Sequence, residues 1–266
     1  MIVARKRFGQ HFLHDQSILQ RIVDAVAPAP GDRLVEIGPG RGALTTRLLE
    51  RHPKLDAIEI DRDLAASLQR QLQARAGFTL YQADALSFDF RDLAHARGSP
   101  VRVVGNLPYN ISTPLLFHLL EQRDVIVDCH VMLQKEVIER MAATPGSEHY
   151  GRLTVMLAPW TTVTRLFDVG PGAFTPPPRV WSAVARVEFL REPRFAVPSA
   201  YPSIVAAAFS QRRKTLRNSL RRWLSPAAIA ACGVDPAARA ETLAPAQFAT
   251  LAASASGTPI DGNSLN

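Results

Sequence analysis

Asn106-Leu107-Pro108-Tyr109 groups side chains suited to chemistry directly behind the apolar run Val103-Val104-Gly105. The Asn106 side-chain oxygen and the Leu107 carbonyl can accept both N–H groups of an exocyclic ring amine. Held that way, the nitrogen lone pair leaves ring conjugation and becomes a usable nucleophile. Pro108 fixes φ and aims the carbonyl before it. Tyr109 offers a face on which an extruded base can stack, worth roughly 1–3 kcal/mol. A second group begins at Glu36-Ile37-Gly38-Pro39-Gly40-Arg41-Gly42, where an apolar run ends in a glycine turn. Glycines there let backbone approach a ligand closely. Glu59, 21 residues after Gly38, is placed to accept from a ribose hydroxyl pair. Asp84 adds an acceptor suited to an adenine amino group. The turn formally fits a dinucleotide fingerprint. However, Pro39 removes an N–H that a pyrophosphate cradle would use.

These groups meet only if strand ends converge. Residues 33–37, 55–60, 78–82, 101–105 and 125–133 are short runs rich in Val, Ile and Leu, the pattern of strands buried on both faces. Residues 42–51, 63–75, 89–96 and 114–122 read as helices between them. Thr113 is the expected cap of the last, with Pro114 in its first turn. The alternation predicts a doubly wound α/β sheet, with ligands beyond the carboxyl ends of its strands. Residues 161–168 and 182–189 have strand character. The proline-rich turn joining them has no room for a crossover helix, so an antiparallel pair at one sheet edge is expected. From Tyr201 the chain is alanine-rich and helical in pattern. The last dozen residues, from Ala255, read as a frayed terminus.

The 266 residues are 47% apolar, with 31 Lys and Arg against 24 Asp and Glu. That suffices for a core of roughly 200 residues with a small appendage and excludes a mainly disordered chain. Cys129 and Cys232, far apart, exclude a disulfide scaffold and predict a reduced, cytoplasmic protein. No apolar run approaches the roughly 18 residues of a membrane span. The N-terminus has basic residues but lacks the apolar region of a signal peptide. No residue cluster has metal-ligand spacing.

Residues 191–266 hold nine basic and four acidic side chains, which is most of the +7 excess. Arg191-Glu192-Pro193 reads as a linker, so domains of 1–190 and 191–266 are expected. Val205, Phe209, Leu216, Leu220, Trp223 and Leu224 recur at helical spacing and predict one helix with a buried face. Arg213, Arg217 and Arg221 would then form a positive stripe, able to bind phosphates without reading sequence. Arg5, Lys6 and Arg7 can extend that surface.

Glu36-x-Gly38-x-Gly40 with Glu59 and Asp84 resembles the S-adenosylmethionine site of class I methyltransferases. A longer set of motifs is more specific. It comprises Phe8-Gly9-Gln10-His11-Phe12-Leu13, Asn106-Leu107-Pro108-Tyr109-Asn110 with Ile111-Ser112-Thr113-Pro114, and Leu133-Gln134-Lys135-Glu136. It continues with Tyr150-Gly151-Arg152-Leu153, Phe174-Thr175-Pro176-Pro177-Pro178 and Gln211-Arg212-Arg213-Lys214-Thr215. Over about residues 4–250 the chain resembles the ribosomal RNA adenine N6,N6-dimethyltransferase family, most nearly its bacterial small-subunit branch.

The resemblance implies a seven-stranded, mostly parallel class I methyltransferase sheet with an antiparallel edge, followed by a small all-α domain that binds RNA. It implies methyl transfer from S-adenosylmethionine to N6 of two adjacent adenosines. These lie in the 3′-terminal hairpin loop of 16S ribosomal RNA within an immature 30S particle, and the enzyme acts as a monomer. By the same resemblance, His11, Leu13, Gly38, Glu59, Asp84 and Asn106 are cofactor positions, and Asn106, Leu107, Pro108 and Tyr109 the catalytic turn. Phe174 would pack on the target base opposite Tyr109, with a core Phe that anchors its loop as the alternative, and Arg213, Arg217 and Arg221 would contact RNA. The family often has Asn at the position of His11, a change that a main-chain contact survives. Trp181 stands where relatives usually carry an acid, and nothing in the sequence explains it.

Other classes of function remain open at this point. A ribosome-assembly factor would need the basic domain but no chemistry. A large-subunit dimethyltransferase would share the sheet, although Gln211 to Thr215 favours the small-subunit branch. A nicotinamide-dependent oxidoreductase would bind NADH in place of S-adenosylmethionine. A cytosine-5 mechanism needs a nucleophilic Cys near the acceptor, and neither Cys lies in a motif.

Overall fold

The computed structural model describes residues 10–211 and 213–255. Arg5, Lys6, Arg7, Phe8, Gly9, Arg212 and the tail beyond Ala255 lie outside the described residues. The chain divides into two compact units. One is Met1–Ile138 with Thr162–Arg191, and the other is Glu139–Thr161 with Glu192–Asn266. Glu139–Thr161 thus belongs to the second unit, not to the first domain as expected from sequence. Its Tyr150 and Val155 are buried in the core of Tyr201, Val205, Leu216 and Phe248. The Tyr150 hydroxyl donates to the Leu243 carbonyl at 2.7 Å, and the Tyr201 hydroxyl to that of Val155 at 2.8 Å.

The first unit opens with a two-residue strand, β1 (Phe12–Leu13), and α1 (Gln16–Val26). Asp15 caps α1 by accepting from the Ser17 and Ile18 N–H groups at 2.9 and 3.1 Å. Strand and helix then alternate through β2 (Leu34–Ile37), α2 (Ala43–Arg51), β3 (Leu55–Glu59), α3 (Arg62–Leu72), β4 (Phe78–Gln82) and α4 (Phe90–Arg97). They continue with β5 (Val101–Asn106), α5 (Ser112–Glu121), β6 (Ile126–Gln134) and α6 (Lys135–Met141). After α7 (Arg152–Leu157) of the second unit come β7 (Thr161–Val169), β8 (Phe174–Thr175) and β9 (Ser182–Phe189). Every residue of β2 and β3 is buried, the acids Glu36, Asp56 and Glu59 included, as strands covered on both faces require.

Seven strands make one sheet in the order β4-β3-β2-β5-β6-β9-β7. The strands from β4 to β6 pair in parallel, and β9 runs antiparallel to β6. The expected pair thus forms that edge of the sheet, with β7 outermost and β9 between it and β6. The strand order reverses between β2 and β5, and such a switch point opens a crevice at the carboxyl ends. There the two backbones approach closely. A Cβ on Gly105 would stand 2.6 Å from the Ile37 carbonyl oxygen, so only glycine fits. Helix α5 starts at Ser112 with Ile111 as its cap, so Thr113 is not the cap. Thr113 and Pro114 lie in its first turn, where a missing N–H is harmless.

In the second unit, α8 (Tyr201–Ala208), α9 (Leu216–Ser219), α10 (Pro226–Ala231) and α11 (Pro245–Ser254) surround an apolar core. The helix expected through 205–224 is broken. Leu216, Leu220 and Leu224 are buried as expected, but long-range backbone bonds interrupt the helix between α8 and α9. Thr215 bridges Arg239, the Leu216 N–H donates to the Ala238 carbonyl, and that of Arg217 donates to Pro236. No helix of the described residues is long and apolar enough to cross a membrane.

Candidate active site

The crevice over β2 and β5 is a cleft with about 1150 Å³ of space free of protein atoms. The structure brings all nine sequence-derived cofactor and catalytic residues onto its walls. From the N-terminal segment come His11 and Leu13, and from the glycine turn Gly38. Glu59 ends β3 and Asp84 follows β4, while Asn106, Leu107, Pro108 and Tyr109 leave β5.

Glu59 is 5% exposed and organises the turn opposite it. Its two carboxylate oxygens accept from the backbone N–H groups of Gly40 at 3.0 Å and Asp61 at 2.8 Å. Burial raises its pKa, and the two N–H donors oppose that rise. Gly40 makes its bond at φ +58°, and a Cβ there would press on the Phe12 ring at 3.2 Å. Asp84 is exposed, and its Oδ1 accepts from the Leu86 N–H at 2.9 Å. It thus caps its own turn while lining the cleft.

Asn106 faces the N-terminal strand. Its Nδ2 donates to the His11 carbonyl at 2.9 Å. A carbonyl only accepts, so the amide nitrogen must point there and Oδ1 away from it. The Leu107 N–H donates to the Met132 carbonyl, whereas the Pro108 carbonyl accepts from the Ile111 N–H and the Ser112 hydroxyl. The Leu107 carbonyl between them has no donor among the described residues. The Tyr109 hydroxyl shares a 2.6 Å hydrogen bond with that of Ser182, and burial raises the Tyr109 pKa. Its ring stacks on the His11 ring, with centroids 5.5 Å apart and planes 29° from parallel. His11 Nδ1 lies 2.7 Å from the Pro176 carbonyl and must therefore carry the proton of that bond.

Two expectations fail. Phe174 is 3% exposed and sits in the apolar core of the first unit, with β8 paired to β1 so that Phe174 faces Leu13 in the ladder. It does not line the cleft, and its burial leaves no face for a base. Nor do Arg213, Arg217 and Arg221 form a helical stripe. Arg213 lies in the turn before α9, Arg217 within it and Arg221 in the turn after it. All three are exposed, and none pairs with a carboxylate among the described residues.

The sequence marks Glu36 only as the first residue of the glycine motif, and it gives Ile60 and Ser182 no role. Glu36 is 2% exposed and its Oε2 has no hydrogen-bond partner. The Thr45 hydroxyl beside it is likewise without one in bonding geometry. Burial pushes the Glu36 pKa up to about 8. An acid inside an otherwise apolar strand was the available signal. Ile60, 46% exposed, puts an apolar wall beside Glu59, marked only by an apolar residue immediately after a strand-ending acid. Nothing local marks Ser182.

The donor set fits a nucleoside with a charged appendage. Apolar walls, a buried acid with an unpartnered oxygen and a second acid held by backbone amides surround one cleft. Residues 1–256 match the ribosomal RNA adenine dimethylase family. The ribosomal RNA small subunit methyltransferase A of Methylococcus capsulatus is 53% identical over 250 residues, covering 94% of this chain and 96% of its own. That of Pseudomonas aeruginosa is 53% identical over 251 residues, covering 94% and 93%. Among solved structures, a dimethyladenosine transferase from Plasmodium falciparum superposes with a TM-score of 0.75 at 25% identity, covering 91% of this chain and 96% of its own. The 23S rRNA methyltransferase ErmE gives a TM-score of 0.70 at 28% identity, covering 91% and 98%. The sheet is that of a class I methyltransferase, and the chain belongs to the ribosomal RNA adenine dimethylase family.

Proposed function

We propose that this protein dimethylates N6 of two adjacent adenosines in the 3′-terminal hairpin loop of 16S ribosomal RNA. It acts as a monomer on the immature 30S particle in the cytoplasm. The observation that carries the reading is the tethered Asn106 amide. Its nitrogen is occupied by the His11 carbonyl, so its oxygen is the pole left to accept from a substrate amine.

S-adenosylmethionine, when bound, supplies a methyl group on an electrophilic sulfonium. Gly38, Glu59, Asp84 and Asn106, with His11 and Leu13 of the N-terminal strand, are the residues suited to hold it. Glu59 offers carboxylate lone pairs to ribose hydroxyls, and Asp84 an acceptor to an adenine amino group. On the acceptor side, Asn106 Oδ1 and the Leu107 carbonyl take the two N6 hydrogens and push the nitrogen toward tetrahedral geometry. Pro108 keeps that carbonyl aimed, and Tyr109 stacks on the base. The catalytic gain comes from positioning. The alkylated amine sheds its proton readily, so no strong base is needed. A monomethylated amine retains one N–H, and one acceptor then suffices for the second transfer. Arg213, Arg217 and Arg221 of the second unit bind RNA phosphates as separate surface contacts.

The reading is tested with unmodified small subunits and labelled S-adenosylmethionine. Label should enter small-subunit RNA, not large-subunit RNA, and digestion should yield dimethyladenosine. Unchanged subunit binding without label transfer would favour an assembly factor. Label in large-subunit RNA would favour the other branch of the family.

A further inference from the structure

Four large hydrophobic side chains are exposed among the described residues, and two of them are neighbours. Val180 is 44% exposed and Trp181 56%. Tryptophan is among the more deeply buried residue types on average, so a half-exposed indole beside an exposed valine is a costly surface. The segment that carries it is fixed. The Trp181 carbonyl accepts from the Lys135 N–H at 2.9 Å, and the benzo edge of the indole lies over Gly170 at the end of β7.

The topology puts this indole on the rim of the acceptor site. β9 is antiparallel to its neighbour β6, so its first residues lie at the sheet end where β5 and β6 finish. Trp181 immediately precedes Ser182, whose hydroxyl holds that of Tyr109 at 2.6 Å. At the other end of the same short segment, the Pro176 carbonyl holds His11, whose ring stacks on Tyr109. The charge nearby suits a polyanion. Arg179 is exposed beside the patch, and Asp168 at the end of β7 is already held by Lys135 at 3.2 Å and Arg165 at 2.5 Å.

We infer that Trp181, with Val180 and Arg179, forms a subsite for an unpaired nucleotide of the substrate RNA that flanks the target adenosine. The indole stacks on its base and Arg179 meets its phosphate. Extruding one base from a loop leaves its neighbour unstacked, and an aromatic platform next to the acceptor site replaces the lost stacking without reading sequence.

The inference rests on the proposed reaction, and its test separates the two. Methyl transfer to unmodified small subunits is measured for wild type, Trp181→Phe and Trp181→Ala, along with cofactor affinity. Trp181→Ala should raise the KM for subunits about five- to hundredfold. Cofactor affinity should not change, and Trp181→Phe should recover most of the loss. A wild-type KM in Trp181→Ala overturns the subsite and leaves the reaction standing. A photocrosslinking amino acid at position 181 decides the matter even if wild type transfers no methyl. Crosslinks to ribosomal RNA near the methylated hairpin support the subsite. Crosslinks to a ribosomal protein alone overturn it.

Discussion

The Asn106 side chain donates through Nδ2 to the backbone carbonyl of His11, 95 residues away in sequence, at 2.9 Å. One bond thereby orients the amide at the end of β5 and ties it to the N-terminal strand. The His11 ring adds a second tie by stacking on Tyr109, and Nδ1 a third through Pro176. The acceptor turn is thus braced by a segment that also lines the cofactor side of the cleft.

Asn106→Ala removes the acceptor oxygen and the tether together. The expected loss in kcat is roughly 10²–10³-fold, comparable to deleting a fixed hydrogen-bonding group elsewhere in catalysis. Single-turnover methyl transfer at saturating substrates measures it, and a loss under threefold would remove Asn106 from the chemistry.

His11 acts by positioning. His11→Ala keeps the backbone carbonyl that holds Asn106 but loses the ring. A stacked aromatic pair contributes about 0.5–1.5 kcal/mol, so kcat should fall up to about tenfold. A main-chain contact to the cofactor at position 11 survives the change, so cofactor affinity, measured by calorimetry, should stay within about threefold. His11→Phe, which keeps a ring face without the Nδ1 donor, should recover part of the rate.

Much of this arrangement is legible in the sequence because its causes are local. Short runs rich in Val, Ile and Leu announce β2, β3, β5 and β6, and the glycine turn and Asn106 to Tyr109 lie at their ends. Between its two readings Phe174 takes the core one, and the sequence does not decide this because its partner Leu13 lies 161 residues earlier and nothing beside Phe174 announces that pairing. The basic segment was misread for a related reason. Leu216, Leu220 and Leu224 keep helical spacing and are all buried, yet backbone N–H groups of Leu216 and Arg217 donate to the 236–238 segment and interrupt the helix. Side-chain periodicity reports which residues face the core. It does not report whether one helix carries them.

Glu36 makes stability depend on pH. Its pKa is about 8 in the folded chain against an ordinary 4.5, so the folded form keeps a proton that the unfolded form releases. Stability from this group is complete below pH 4.5 and is lost as pH rises through about 8. Glu36→Gln removes that dependence. In urea unfolding without cofactor, its stability relative to wild type should rise from pH 5 to 9 by several kcal/mol (order of magnitude). A pH-independent difference would contradict the assignment.

Arg213, Arg217 and Arg221 are expected to act as independent phosphate contacts. Replacing all three by Gln should weaken binding to small subunits and reduce the slope of log K against log salt by about 2. An unchanged slope would leave the three as solvated surface charges.

The most direct test of the central claim is to locate the product. Unmodified small subunits are incubated with cofactor and either wild-type protein or Asn106→Ala, and the RNA is mapped by nuclease digestion and mass spectrometry. The account predicts N6,N6-dimethyladenosine at two adjacent positions of the 3′-terminal hairpin loop with wild type, and unmethylated adenosine with the variant over the same interval. Methylation elsewhere, or full dimethylation by Asn106→Ala at the wild-type rate, would contradict it.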